Sequence, residues 1–145
     1  MAKLIPTTQE DIKQIKEWIS LDLFHKDDPS FKGPEKLLTG QGLLSFCLAD
    51  DEGSICFVRL DAEGDMVRFA TQFGPEAEVS KRRLVIGLLS TGIPALIIFA
   101  KEKGYKGLVF ESVNDSLINF MSKQGFKAAG NHDYALTFEE KICVK

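Results

Sequence analysis

Lys81-Arg82-Arg83 stands at the head of Leu84–Ala100, a stretch without a single charged residue. If that stretch is a helix, three exposed cations at its start oppose the helix dipole by a few tenths of a kcal/mol each, roughly. An anion bound there reverses the sign. Free N–H groups, a favourable dipole and neighbouring Lys or Arg together suit a phosphate or pyrophosphate. The alternative is a solvated basic turn paired with Glu76 and Glu78. Glu76, Glu78 and Glu111 are the nearby carboxylates to consider as a base, although such residues are more often plain surface or strand-end charges.

The other reactive residue types carry less. Cys47, Cys56 and Cys143 make an odd number with no CxxC spacing, which suits neither a disulfide framework nor a zinc site, so no metal is expected. Cys47 and Cys56 fall in apolar segments and read as small core residues. His25 and His132 have no visible partner for a nucleophilic triad. Tyr134 opens a strand and reads as packing.

These groups must be positioned by the elements around them. Lys3–Pro6 is a short apolar opening, and Thr8-Gln9-Glu10-Asp11 reads as a helix start with Thr8 as N-cap and an acid at N3. Ile12, Ile15, Trp18 and Ile19 then recur at helical spacing on one face. From His25 to Gly42, Pro29, Gly33, Pro34, Gly40 and Gly42 break regular structure, giving a surface loop with one helical turn at Pro34–Leu38. Leu43–Ala49, Ile55–Leu60 and Met66–Phe73 follow as strands of an antiparallel meander. Asp50-Asp51-Glu52-Gly53 and Asp61-Ala62-Glu63-Gly64-Asp65 supply its turns. Leu108–Ser112 reads as a buried strand reached by crossover. Asn114 caps a helix that Gly125 stops, and Phe126–Ala129 with Tyr134–Phe138 form a last hairpin.

The central run admits three readings. As a membrane span it is shorter than the roughly 20 apolar residues required, and it carries Ser90, Thr91, Gly92 and Pro94 in its middle. As a buried helix it explains both the missing polar face and the strand that follows, with a kink expected near Ile93 because Pro94 lacks an N–H. As a strand, Leu84–Leu89 would turn at Ser90-Thr91-Gly92, with Pro94 in the first turn of a helix. The buried helix is the main reading.

The totals bound the rest. A chain of 145 residues with 44% hydrophobic and 27% charged residues fits one domain with one core. A net charge of −3 argues against a nucleic-acid partner, which would require a basic face. The polar residues directly after Met1-Ala2-Lys3 give no export signal, so a cytoplasmic location and no membrane association are expected.

The order strand, helix, loop, three-stranded meander, long helix, strand, helix, hairpin resembles the GNAT superfamily of acyl-CoA-dependent N-acyltransferases. The resemblance rests on Ile5–Ile12, on Ala100–Glu111, and above all on Asn114–Phe126 with its Asn, short helix and Gly-Phe. It implies an α/β (α+β) fold with a single mixed, mostly antiparallel sheet flanked by helices. It also implies acetyl-CoA or another acyl-CoA as cofactor, a small-molecule or peptide amine as acceptor, and compatibility with a homodimer. In that family the fourth and fifth strands splay, the thioester lies in the gap, and the pyrophosphate sits at the start of the central helix. Carried over, Lys81, Arg82, Arg83 and Gly87 would surround the pyrophosphate, and Asn114 would lie beside the pantetheine arm. Phe73 and Met121 would border the cofactor. This chain departs from the family's phosphate loop, with Leu84 in place of Gln or Arg and Leu89 in place of a small residue. Met121 stands where a tyrosine often serves as general acid.

Overall fold

The computed structural model describes residues 2–21 and 44–138, so the expected loop His25–Gly42 and Cys143 lie outside the described residues. Strand β1 (Lys3–Pro6) leads to a short 3-10 turn (Gln9–Asp11) and helix α1 (Ile12–Leu21). Thr8 begins it as the sequence predicts: its N–H donates to the Asp11 carboxylate at 2.8 Å, which fixes the entry of the chain. Ile15 and Trp18 are the buried residues of α1. Trp18 lies against Phe57 with ring centroids 5.3 Å apart.

The meander follows as β2 (Leu44–Asp50), β3 (Gly53–Glu63) and β4 (Met66–Phe73). Its tight turns place Gly53 and Gly64 at positive φ, 120° and 61°, a conformation that costs glycine nothing. A long helix then runs from Lys81 to Glu102 as α2 (Lys81–Gly87), a π-turn (Leu88–Gly92) and α3 (Ile93–Glu102). Leu84–Leu89 is thus helical rather than a strand. The bend expected near Ile93 takes the form of a wide turn just before it, where the Ile93 N–H donates to Leu88 O. Pro94 has no N–H to give and its ring would crowd the carbonyl four residues back, and widening the turn relieves both demands.

By length and composition the helix could cross a membrane. Here its inner side lies on the sheet through Gly87, Gly92, Ile93, Leu96 and Ala100, all buried.

Strand β5 (Gly107–Glu111), helix α4 (Asp115–Ser122) and the hairpin β6 (Lys127–Ala128) with β7 (Asp133–Thr137) complete the described residues. The seven strands form one sheet in the order β1-β2-β3-β4-β5-β7-β6. Every neighbouring pair is antiparallel except β4 and β5, which are parallel across the long-helix crossover. The fold is therefore the mixed, mostly antiparallel α/β arrangement expected from the sequence.

Candidate active site: a fork between two strands

The parallel pairing of β4 and β5 is brief. It covers Met66 with Gly107, Val67 with Leu108 and Arg68 with Val109, and then stops. Beyond Arg68, β4 continues along β3 to Phe73. Beyond Val109, β5 continues along β7. The two strands part, leaving a fork whose facing backbone edges are no longer satisfied by each other.

Both sides of the sheet hold the root of this fork. The next residues out, Phe69 and Phe110, stack with centroids 5.2 Å apart, and Phe126 meets them nearly edge-on at 6.0 and 5.3 Å. On the other side, since strand residues alternate faces, Arg68 reaches Asp133 of β7 with two hydrogen bonds of 3.0 and 2.9 Å. The same guanidinium donates to Glu63 at 2.8 and 2.9 Å. These bonds hold the carboxyls of Asp133 and Glu63 below the usual carboxylate range and push the Arg68 guanidinium higher still. Tyr134 packs on Phe110 at 5.7 Å, as its reading as a packing residue requires.

Inside the fork lies a narrow apolar slot of about 30 Å³. Phe69, Thr71 and Phe73 line it from β4, Phe110 from β5, Leu88 and Ile93 from the long helix, and Leu117 and Met121 from α4. Among the described residues Thr71 carries the one hydroxyl in that lining. Cys56 also borders the slot, and complete burial pushes its thiol far up, away from thiolate chemistry. Burial raises Cys47 as well.

The expected site residues divide into those at the fork and those elsewhere. Phe73 and Met121 are in the slot wall, Met121 buried and Phe73 half-buried. Asn114 caps α4 beside it, its Oδ1 accepting from the N–H groups of Ser116 at 3.0 Å and Leu117 at 3.3 Å. Lys81 and Arg82 are exposed at the start of the long helix. Arg83 points away: Nε and Nη2 donate to Asp50 at 2.9 and 2.7 Å, and it also donates to the carbonyls of Gly53 and Glu78. This corrects the paired-turn reading. Among the described residues the close ionic partner of Arg83 is Asp50 at the end of β2, with Glu52 at 3.6 Å, and Glu78 contributes its backbone carbonyl.

Gly87 lies under the helix. A Cβ there would stand 3.0 Å from Ile55 Cδ1 and 3.2 Å from Leu48 Cδ2. Its glycine thus serves close packing of helix on sheet. Glu78 is exposed in the loop before the helix. Glu111 ends β5, exposed, and strand alternation sets it on the face opposite Phe110 and the slot.

The helix start and the slot fit an acyl-CoA unequally. Ser80 caps the helix, its Oγ accepting from Arg83 N at 3.2 Å and its carbonyl from Leu84 N at 3.1 Å. The stretch expected as a phosphate loop, Leu84–Leu89, is wound into helix, so its amides are spent internally. The amides of Lys81 and Arg82 come before the first intrahelical bond, and with their two side chains they suit a diphosphate. The slot matches the acyl and methylene groups flanking a thioester sulfur in polarity. In volume it holds little more than a water or two, so an arm enters only if Phe73 and Met121 swing aside.

No family profile matches this sequence, and no curated protein matches it. Solved structures do match by shape. An acetyltransferase of the GNAT family from Staphylococcus aureus superposes with a TM-score of 0.70 at 16% identity, covering 96% of this chain and 100% of that one. The chain has the GNAT fold. The GNAT acetyltransferase of Brucella melitensis, solved with acetyl-CoA, matches at a TM-score of 0.62 and 15% identity over 97% of this chain and 90% of its own. The aminoglycoside acetyltransferase AAC(6')-Ib, solved with coenzyme A and kanamycin, gives 0.70 and 12% over 94% and 95%. Within the GNAT fold, the parting of β4 from β5 is where the sequence reading placed the thioester.

The clamp at Arg68 and the aromatic stack were not read from the sequence. Phe69, Phe110 and Phe126 carry apolar strand patterns that signal burial but not mutual contact. Asp133 sits in a turn-rich stretch whose partner lies in β4.

Proposed function

We propose that this protein is an acyl-CoA-dependent N-acyltransferase that passes an acetyl or other acyl group to a small-molecule or peptide amine. The fork between β4 and β5 carries this reading, because it opens an apolar slot between the two strands, the long helix and α4. Lys81 and Arg82, with their own amides, would hold the diphosphate. When bound, an acyl-CoA supplies an activated thioester carbonyl. The chain's own part is to hold the acyl arm between Phe73, Leu117 and Met121, exclude water from it, and bring an amine alongside. Positioning of this kind lowers a barrier without specialised acid–base groups. Titration calorimetry with acetyl-CoA tests it: saturable binding that weakens about tenfold or more in the Lys81→Ala/Arg82→Ala variant is expected. No heat at millimolar acetyl-CoA would overturn the proposal.

One observation favours a second reading, binding without turnover. Among the described residues the slot is lined by no carboxylate or imidazole, and Met121 occupies the place of the tyrosine acid in the resembling family. Release of free thiol from acetyl-CoA in the presence of a panel of primary amines separates the two. Binding with no thiol release selects the second reading.

A further inference from the structure

The long helix presents an unusual outer side. No residue from Leu84 to Ala100 is charged, and Ile86, Leu89 and Ile98 are 52%, 45% and 56% exposed. A helix apolar all round belongs in an interior. Only its inner side meets the sheet here, and a row of large apolar side chains left outward marks an interaction surface.

The order of residues along that side selects the partner. Arg82 and Glu102, both exposed, are equidistant in sequence from Gly92. So are Ile86 and Ile98, and Leu89 and Ala95. Two copies packed antiparallel about Gly92 therefore set Arg82 against Glu102 of the partner and Ile86 against Ile98 of the partner. This is the self-complementarity that a two-fold interface demands. A parallel pairing would set like charges together. Lys101 is held over the Phe138 ring at 5.2 Å. An anionic lipid surface fits less well, since an interfacial helix carries basic residues along its flank, and here charges stand only at the ends, one of them acidic.

We propose that the outer side of the Lys81–Glu102 helix is a self-association surface that joins two copies antiparallel about Gly92. The inference goes beyond acyl transfer and does not depend on it. Because Arg82 is also a proposed contact of the diphosphate, Glu102 and Ile98 are the better probes.

Sedimentation equilibrium of the full chain across a concentration series should show a species of twice the 16.1 kDa chain mass. Ile98→Glu should weaken association at least tenfold while leaving the circular dichroism spectrum and melting temperature as in the parent, since the position is exposed. Glu102→Arg should weaken it too, and adding Arg82→Glu should restore it. In a Cys143→Ser background, Ile86→Cys/Ile98→Cys should form an intermolecular disulfide under mild oxidation. Within one helix those positions are about 18 Å apart, beyond bridging distance. A monomer at every concentration overturns the proposal. So does a dimer indifferent to Ile98→Glu and to the charge exchange, which places the interface elsewhere. A monomer that pellets with phosphatidylserine vesicles, and is released by Ile98→Glu, overturns it in favour of lipid.

Discussion

Arg68 and Asp133 join strands that are not neighbours: the guanidinium crosses over β5 and meets both oxygens of a carboxylate in β7 at 3.0 and 2.9 Å. Arg68 is also the last β4 residue paired with β5, so the clamp sits where the fork begins. Arg68→Ala removes a two-pronged bond and leaves Asp133 and Glu63 without their cation. With the groups about one-quarter exposed, the loss should be about 1 kcal/mol. Denaturant unfolding measures it, and Arg68→Lys should recover only part, because an ammonium cannot grip both carboxylates in plane.

The same bonds set a pH dependence. Asp133, Glu63 and Asp50 are held below the ordinary carboxylate range by hydrogen bonds from Arg68 and Arg83. A carboxyl depressed in the folded state contributes stability above its unfolded pKa of about 4, and that contribution disappears as pH falls through the folded value. The melting temperature should therefore fall between pH 5 and lower pH, approximately. In Arg68→Ala the fall should be shallower, and an unchanged slope would assign the acid sensitivity elsewhere.

Gly87 distinguishes packing from phosphate binding. Gly87→Leu drives a side chain into Ile55 and Leu48 and should cost about 1–3 kcal/mol by overpacking. Gly87→Ala gains helix propensity of about 0.5–1 kcal/mol against a tight 3.0 Å contact, so it should be close to neutral. Neither substitution should alter the affinity for acetyl-CoA per folded molecule, as read by calorimetry. A selective loss of binding in Gly87→Ala would return the residue to the anion site.

Met121 plugs the slot. Met121→Ala should lower stability by about 2 kcal/mol or more, since the side chain is buried, while widening the slot. Acetyl-CoA should then bind more tightly, because the arm no longer has to displace the thioether. Equal affinity in both forms would count against the slot as the seat of the acyl arm.

Much of this arrangement was legible in the residues. The three meander strands, the N-caps at Thr8 and Asn114 and the long helix followed from periodicity, turn glycines and capping side chains, all of which act within a few residues. What escaped prediction depends on distance along the chain. Arg83 was read with neighbouring glutamates, yet its partner Asp50 is thirty-three residues away and is set by the β2–β3 turn. The clamp between Arg68 and Asp133 spans sixty-five. The phosphate loop expected at Leu84–Leu89 rests on motif spacing, and spacing does not reveal that Ser80 starts the helix early enough to wind that loop into it.

The π-turn has a consequence for chain length. Five residues of α-helix turn through about 500°, which would leave Gly87 and Gly92 on different sides. Yet Cβ atoms built on them would stand 3.2 and 3.5 Å from the same Leu48 methyl. The wide turn thus absorbs a surplus residue and returns the helix to phase. Removing one residue between Leu88 and Thr91, with Pro94→Ala to restore the donor, would tighten the turn to ordinary helix and leave both halves seated as they are. The middle of this helix is therefore the place where the chain can shorten by a residue without shifting either the anion end or the strand that follows.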